Sequence, residues 1–302
     1  MVLANFMADK AVVPAALKHA PDVGLTVIDL IAPAFIFAVG LTYGSSFRRR
    51  LAESPGKAVG HFLRRYFALI GIGAIISAGE VAVGENLSGI AWGVLQAIGV
   101  AGLLTLPTLL LSPRWRAVVA IVVLAGYQII LDASWLPIVL RSPHGGMHGS
   151  LSWSAMMMLS TAIAEDGLQK KVWRLAAWSL AAVAAGLALA AFLPGLVPIS
   201  KNRVSASYVL LTAGASGLVF AGFRVLVDQW GVRVPLLSAW GKNPLGLYIM
   251  HYLLLAFVVL PDFPWWHADS PPLLVAAQAL GILAILSIVA WRLDKRGVVL
   301  SL

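Results

Sequence analysis

The sequence predicts an all-α, polytopic transmembrane bundle of about nine to ten spans with a cytoplasmic carboxyl terminus. Three observations carry that expectation. Of 302 residues, 60% are hydrophobic and only 12% charged, against roughly 25% charged in soluble domains. Apolar runs of about 20 residues recur, the length a helix needs to cross a hydrocarbon core of about 30 Å, and no stretch alternates like a barrel strand. Finally, lysine and arginine fall on alternate connections.

In chain order the expected spans are 23–45, 58–82, 88–111, 117–136, 152–166, 172–197, 205–227, 241–260 and 271–291. Residues 1–7 read as the tail of a further span, and 152–166 is short enough to tilt or to be partly re-entrant. Most of the 22 Lys and Arg lie on one set of connections: Arg48–Arg50, Lys57, Arg64, Arg65, Arg114, Arg116, Lys170, Lys171, Arg174, Arg224, Arg233, Lys242, Arg292, Lys295 and Arg296. Only Lys10, Lys18, Arg141, Lys201 and Arg203 lie on the other set. The first set is therefore expected to be cytoplasmic, and the loops bearing His19, His144, His148, Lys201 and His267 face outward. The net charge of +9 is thus mainly topology, with attraction to membrane lipids as a second effect; nucleic acid is not an expected partner. Cysteine is absent, which removes disulfides and thiolate chemistry. The first residues, MVLANFMADK, lack the basic region of a cleavable signal. No linker divides the chain, so residues 1–302 are expected to form one domain. SPHGGMHGS (142–150) and PDFPWWHADSPP (261–272) read as outer loops, with Trp135, Trp265 and Trp266 as interfacial anchors.

Within this scaffold the stretch His19–Gly40 stands out, because Asp29 and Pro33 fall at membrane depth just after a loop histidine. An ionised carboxylate in hydrocarbon costs several kcal/mol, so Asp29 must face protein or a wet cavity. Other polar groups at depth or at the outer edge are Asn5, Glu80, Gln96, Gln128, Asp132, Asn202, Ser207, Tyr208, Asn243 and His251. His251 lies about 12 Å along its helix from Asn243, near the midplane. Plain readings stand beside these. A loop histidine is usually solvated, His251 also suits helix packing, and Met156–Met158 suit core or lipid contact. His144 and His148 make only a weak metal pair, so no metal is expected. Arg48–Arg50 are first a topology signal and second an anion site for a phosphate-bearing cofactor.

Five blocks resemble the catalytic core of the heparan-α-glucosaminide N-acetyltransferase family, which has many bacterial members. They are MVLANF (1–6) followed by His19, GLTVIDLIAPAFIFAVG (24–40), GVLQAIGV (93–100), SKNRVSASYVLLTAG (200–214) and GKNPLGLYIMH (241–251). The resemblance implies transfer of acetyl from cytoplasmic acetyl-CoA to an amine or hydroxyl of an outward-facing sugar or glycan, in a membrane of bacterial inner-membrane type. His19 matches the active histidine and Asn5 the preceding asparagine. Asp29, Gln96, Lys201, Asn202, Ser207, Tyr208, Asn243 and His251 match further polar positions. In these terms His19 is either the base or an acyl carrier. Asn5 and Asn243 are oxyanion donors, and Asp29 orients or stabilises an imidazolium. Asp29 and His251 join the catalytic set, while Gln96, Lys201, Asn202, Ser207, Tyr208 and Asn243 bind substrate or cofactor.

The chain departs from the pattern in three places. The upstream Ser-x-Asp-x-x-Arg-Gly segment is missing, so the expected start lies upstream. Arg203–Val204 replaces a Leu-Trp pair, removing an aromatic that would stack on a sugar. The long outer insertions of the lysosomal member are absent, which favours a small or lipid-linked glycan. Two other readings stay open: an ion- or proton-coupled transporter using Asp29 and His251, and an inactive truncated relative. A homodimer is compatible with all three.

Overall fold

The computed structural model describes residues 1–82, 92–168, 172–261 and 263–300. Lys170, Lys171 and the start of the 88–111 span lie outside the described residues. Those residues form eleven helices and no strand. They are α1 (Val2–Met7), α2 (Ile28–Glu53), α3 (Pro55–Ala82), α4 (Val94–Leu110), α5 (Pro113–Val139), α6 (Gly146–Leu168), α7 (Val172–Phe192), α8 (Ala206–Gln229), α9 (Pro235–Lys242), α10 (Pro244–Val259) and α11 (Pro272–Lys295). Proline opens α5, α9, α10 and α11, where its missing N–H costs nothing and its fixed φ suits the first turn.

Six helices are long and apolar enough to cross a membrane: α2, α3, α5, α7, α8 and α11; the bent pair α9–α10 would make seven. The protein is therefore a multi-pass integral membrane protein. The remaining expected spans take other forms. The described part of the 88–111 stretch is the shorter helix α4. The 152–166 stretch belongs to a longer helix of 23 residues, α6, which falls short in apolarity because protein rather than lipid surrounds it. Its Trp153, Ala155, Met156 and Met157 are fully buried. Its Ser154, Ser160 and Thr161 hydroxyls donate back to the Leu151, Met156 and Met158 carbonyls at 2.6–2.7 Å, so buried hydroxyls carry no unmet hydrogen bond.

The chain divides into two compact units. The central unit, Ala20–Leu25 and Asp29–Trp230, holds α2 to α8, with α6 packed by α2, α4, α5 and α8. Its tightest pair is α7 with α8. A Cβ at Gly214 or Gly217 would overlap Ser179 of α7, the small-residue contact by which membrane helices approach closely. The terminal unit comprises Met1–His19, Thr26–Ile28 and Gly231–Leu302. Its core gathers Phe6, Leu247, Val258, Val275, Ile282 and Leu286. Between α9 and α10 the chain turns by 88° at Asn243, just before the proline of α10.

Candidate functional site

In the central unit the sequence-predicted residues converge on the first turn of α2. Asp29 is fully buried. Its Oδ2 accepts the Ala20 N–H at 3.2 Å, its Oδ1 lies 3.8 Å from the Lys201 ammonium, and its backbone carbonyl accepts the Tyr208 hydroxyl at 2.7 Å. Tyr208, also fully buried, packs edge-on against Trp153. Burial pulls the Lys201 ammonium down to about 8, and the Asp29 carboxylate opposes that pull. At neutral pH Lys201 is therefore charged, with its proton loosely held.

The residues before Asp29 are pinned to the loop that precedes α8. The Gly24 N–H donates to the Ile199 carbonyl at 2.8 Å, and Gly24 sits at φ +128°, a conformation that favours glycine. Arg203 grips Asp22 through Nε at 3.0 Å to both carboxylate oxygens, and Ser200 donates to the same carboxylate at 2.9 Å. The Arg203 fork holds the Asp22 carboxyl below its ordinary range. Asn202 donates to the Pro21 carbonyl. Ser205 caps α8 by accepting the Tyr208 N–H, and the Ser207 hydroxyl donates to Pro198 at 2.9 Å. From α5, Gln128 accepts the Ala206 N–H and Tyr127 donates to the Arg203 carbonyl. Val204 takes φ 48°, a rare choice for a β-branched residue. Its side chain fits beside Gly145 and Gly149, and its carbonyl accepts Ser152 of α6 at 2.7 Å. Asp29, Lys201, Asn202, Ser207 and Tyr208 thus belong to one network.

In the terminal unit His19 is exposed, and the Lys18 carbonyl beside it accepts the Thr26 hydroxyl at 2.7 Å. A second cluster joins α1 to α10. The Asn5 amide donates toward His251 Nε2 at 3.0 Å and toward the Tyr252 hydroxyl at 3.2 Å. His251 Nδ1 contacts the Tyr248 carbonyl. A carbonyl only accepts, so Nδ1 carries the proton and Nε2 is left to accept from Asn5. Both ring nitrogens of buried His251 are engaged, and the Asn5 donors point into the cluster.

Two predicted site residues lie elsewhere. Gln96 accepts the Gly93 N–H at 2.9 Å and donates to Ser77 of α3 at 3.2 Å, joining α3 to the start of α4. Asn243 donates to the Val298 carbonyl at 2.9 Å and accepts the Leu300 N–H at 2.6 Å, tying the α9–α10 break to residues 298–300. Sequence reasoning gave no site role to Asp22, Ser200, Arg203, Ser205 or Tyr252. No spacing signals Asp22 and Arg203, since they pair across 181 positions. His144 and His148 lie against Trp153 and Trp135 respectively. Among the described residues no three His, Asp or Glu gather into a metal-ligand set.

The catalytic family of heparan-alpha-glucosaminide N-acetyltransferase matches residues 1–189, more than half of the chain. The chain belongs to that family. A search of the curated proteins returns no match. The matched range contains Asn5, His19, Asp29 and Gln96, whereas Lys201, Asn202, Ser207, Tyr208, Asn243 and His251 follow it. Membership implies a membrane acyltransferase, in a family whose acyl donor is acetyl-CoA.

Proposed function

We propose that this protein transfers acetyl from acetyl-CoA, taken up at its arginine-rich cytoplasmic side, to an amine or hydroxyl of a sugar or glycan at the opposite face of a bacterial inner membrane. The observation that carries the reading is the anchoring around His19. Its neighbour on one side is held by Thr26 and its neighbour on the other by Asp29, while the family match spans all of them. A residue with backbone anchors on both sides is presented in a restricted place, which a base or acyl carrier needs. An imidazole can take up a proton or carry an acyl group, so it suits either task.

In this reading Asp29 is a positioning residue, acting through Ala20 and Lys201. Asn5 is fixed through its amide N–H groups, and among the described residues no donor occupies its carbonyl oxygen, which suits the N–H or O–H of an acceptor better than an oxyanion. Lys201, Asn202, Ser207 and Tyr208 shape the acceptor end. The engaged ring of His251 and the paired Asp29 favour fixed scaffolding over an ion relay. Helices α4 and α6 supply two further crossings, bringing the total to nine with the carboxyl terminus inside.

The test is acetyl transfer in proteoliposomes from radiolabelled acetyl-CoA to a panel of amino sugars. His19→Ala is expected to lower transfer by about 10²-fold or more, the scale of a lost general base. Label retained on the wild-type protein without acceptor, and absent from His19→Ala, would mark the covalent route. Transfer equal to wild type in His19→Ala would overturn the assignment.

A further inference from the structure

The arginine-rich end of the central unit contains a cavity of about 440 Å³ between α2 and α3, within the range of small-molecule sites. Arg49 and Arg65 line it, together with Ser45 and Ser46 and the aromatic pair Tyr43 and Tyr66. The aromatic wall is firmly built. Tyr43 and Tyr66 are almost fully buried, their rings lie 5.0 Å apart, and the Tyr43 hydroxyl donates to the Gly102 carbonyl of α4 at 3.0 Å.

The three consecutive arginines of α2 have different surroundings. Arg48 pairs with Glu165 of α6, which also takes Arg116 of α5 at 2.8 Å. Arg49 instead lines the cavity, as does Arg65 of α3. Among the described residues no carboxylate pairs with either of these two. The Ser45 hydroxyl already donates to the Thr42 carbonyl at 3.0 Å, which leaves the two guanidinium groups and Ser46 as the donor set for an anion with several oxygens, and guanidinium matches phosphate in geometry as well as charge. The tyrosine wall gives the rest of such a ligand an apolar surface. Asp29 and Arg49 are twenty residues apart on α2, about 30 Å at 1.5 Å per residue, so this cavity is distinct from the Asp29–Lys201 network.

We infer that the α2–α3 cavity binds the phosphate groups of the nucleotide end of the acyl donor through Arg49 and Arg65. This rests on the acyltransferase reading above. An anionic lipid headgroup presents the same phosphate chemistry, so the test separates the two sources.

The full chain in nanodiscs is titrated with CoA, with S-acetylpantetheine, which keeps the thioester arm but lacks the nucleotide, and with inorganic phosphate. A parallel assay measures retention on vesicles containing phosphatidylglycerol. The variants are Arg49→Gln, Arg65→Gln and the double change, with Arg64→Gln as a neighbouring control that does not line the cavity; thermal unfolding checks that each is folded. CoA affinity is expected to fall about tenfold or more per arginine and to lose part of its salt dependence, the scale of hydrogen bonds to a charged group. Transfer from S-acetylpantetheine and the behaviour of Arg64→Gln are expected to match wild type. Wild-type CoA affinity in a folded double variant would overturn the cavity assignment and leave the acyltransferase reading intact. Loss of vesicle or phosphate binding alone, with CoA affinity kept, would make the cavity a headgroup site and overturn the donor assignment. A wild-type protein that binds no CoA would overturn both readings.

Discussion

The two ends of the central unit handle positive charge in opposite ways. Where α2 begins, each cation has its own carboxylate: Lys201 faces Asp29 and Arg203 grips Asp22. Where α2 ends, one carboxylate, Glu165, serves both Arg48 and the fully buried Arg116, and Arg49 and Arg65 open onto a cavity. Matched charges fix a backbone in place. Unmatched charges leave attraction to spare for a ligand. On this contrast the Asp29 end is built to position groups and the arginine end to bind one.

The contrast breaks most visibly when one carboxylate is removed from each end. Glu165→Gln leaves Arg116 charged in the interior, because guanidinium does not give up its proton. The expected cost is about 3–5 kcal/mol, that of an uncompensated buried charge. Asp29→Asn has a milder outcome for stability. Lys201 already loses its proton near pH 8, and without the opposing carboxylate it loses it more readily still. It therefore neutralises rather than remaining as a buried ion, and about 1–3 kcal/mol is expected. Activity should rank the other way: Asp29→Asn frees the Ala20 anchor and lowers transfer by about 10²-fold, whereas folded Glu165→Gln keeps most of its acceptor-side chemistry. Thermal unfolding and transfer rates measured on both variants check the crossing. If Asp29→Asn were the less stable and the more active of the two, the assignment of roles to the two ends would be wrong.

That crossing explains what the sequence could and could not announce. Composition and apolar run length made the helical class legible, and α2, α3, α5, α7, α8 and α11 lie where the runs predict. Arg48, Arg49, Arg65 and Arg116, expected on one set of connections, lie at one end of the central unit. Asp29 was conspicuous because an acid at depth is costly wherever it sits. The α6 helix is longer than its apolar run predicts, since serines that bond to their own helix look polar by hydropathy yet cost little inside protein. Gln96 and Asn243 matched the family pattern, but their amides are spent on joining segments. Asp22, Arg203 and the shared use of Glu165 by two arginines follow from tertiary pairing alone.

The positioning end can also be probed by pH. Lys201 titrates at about 8 in the folded protein against an ordinary 10.5, so between those values the unfolded chain binds more protons than the folded one. Stability from this group therefore rises with pH across that window and is lost as pH falls through about 8. The Asp29–Lys201 attraction runs the other way, vanishing as Lys201 deprotonates. Activity should thus fall on the alkaline side with an apparent pKa near 8 while this contribution to stability improves. Lys201→Arg keeps the charge and should move that alkaline limb to higher pH. An unchanged limb in that variant would assign the titration to another group.

The smallest effect tests whether matching requires geometry or only charge. Arg203→Lys keeps the positive charge but replaces a planar fork with a single ammonium, which cannot hold both Asp22 oxygens in the same way. The pair is partly exposed, with side-chain accessibilities of 19% for Arg203 and 33% for Asp22, so about 0.5–1 kcal/mol of stability is at stake after solvent screening. The consequence for the 20–25 loop is more specific. Asp22 holds Arg203 while Pro21 and Gly24 are tied to the same preceding loop, so loosening one tie should raise acceptor KM severalfold and leave KM for acetyl-CoA unchanged. A matching rise in donor KM would mean that the two ends of α2 are not independent, and charge matching at one would no longer be separable from binding at the other.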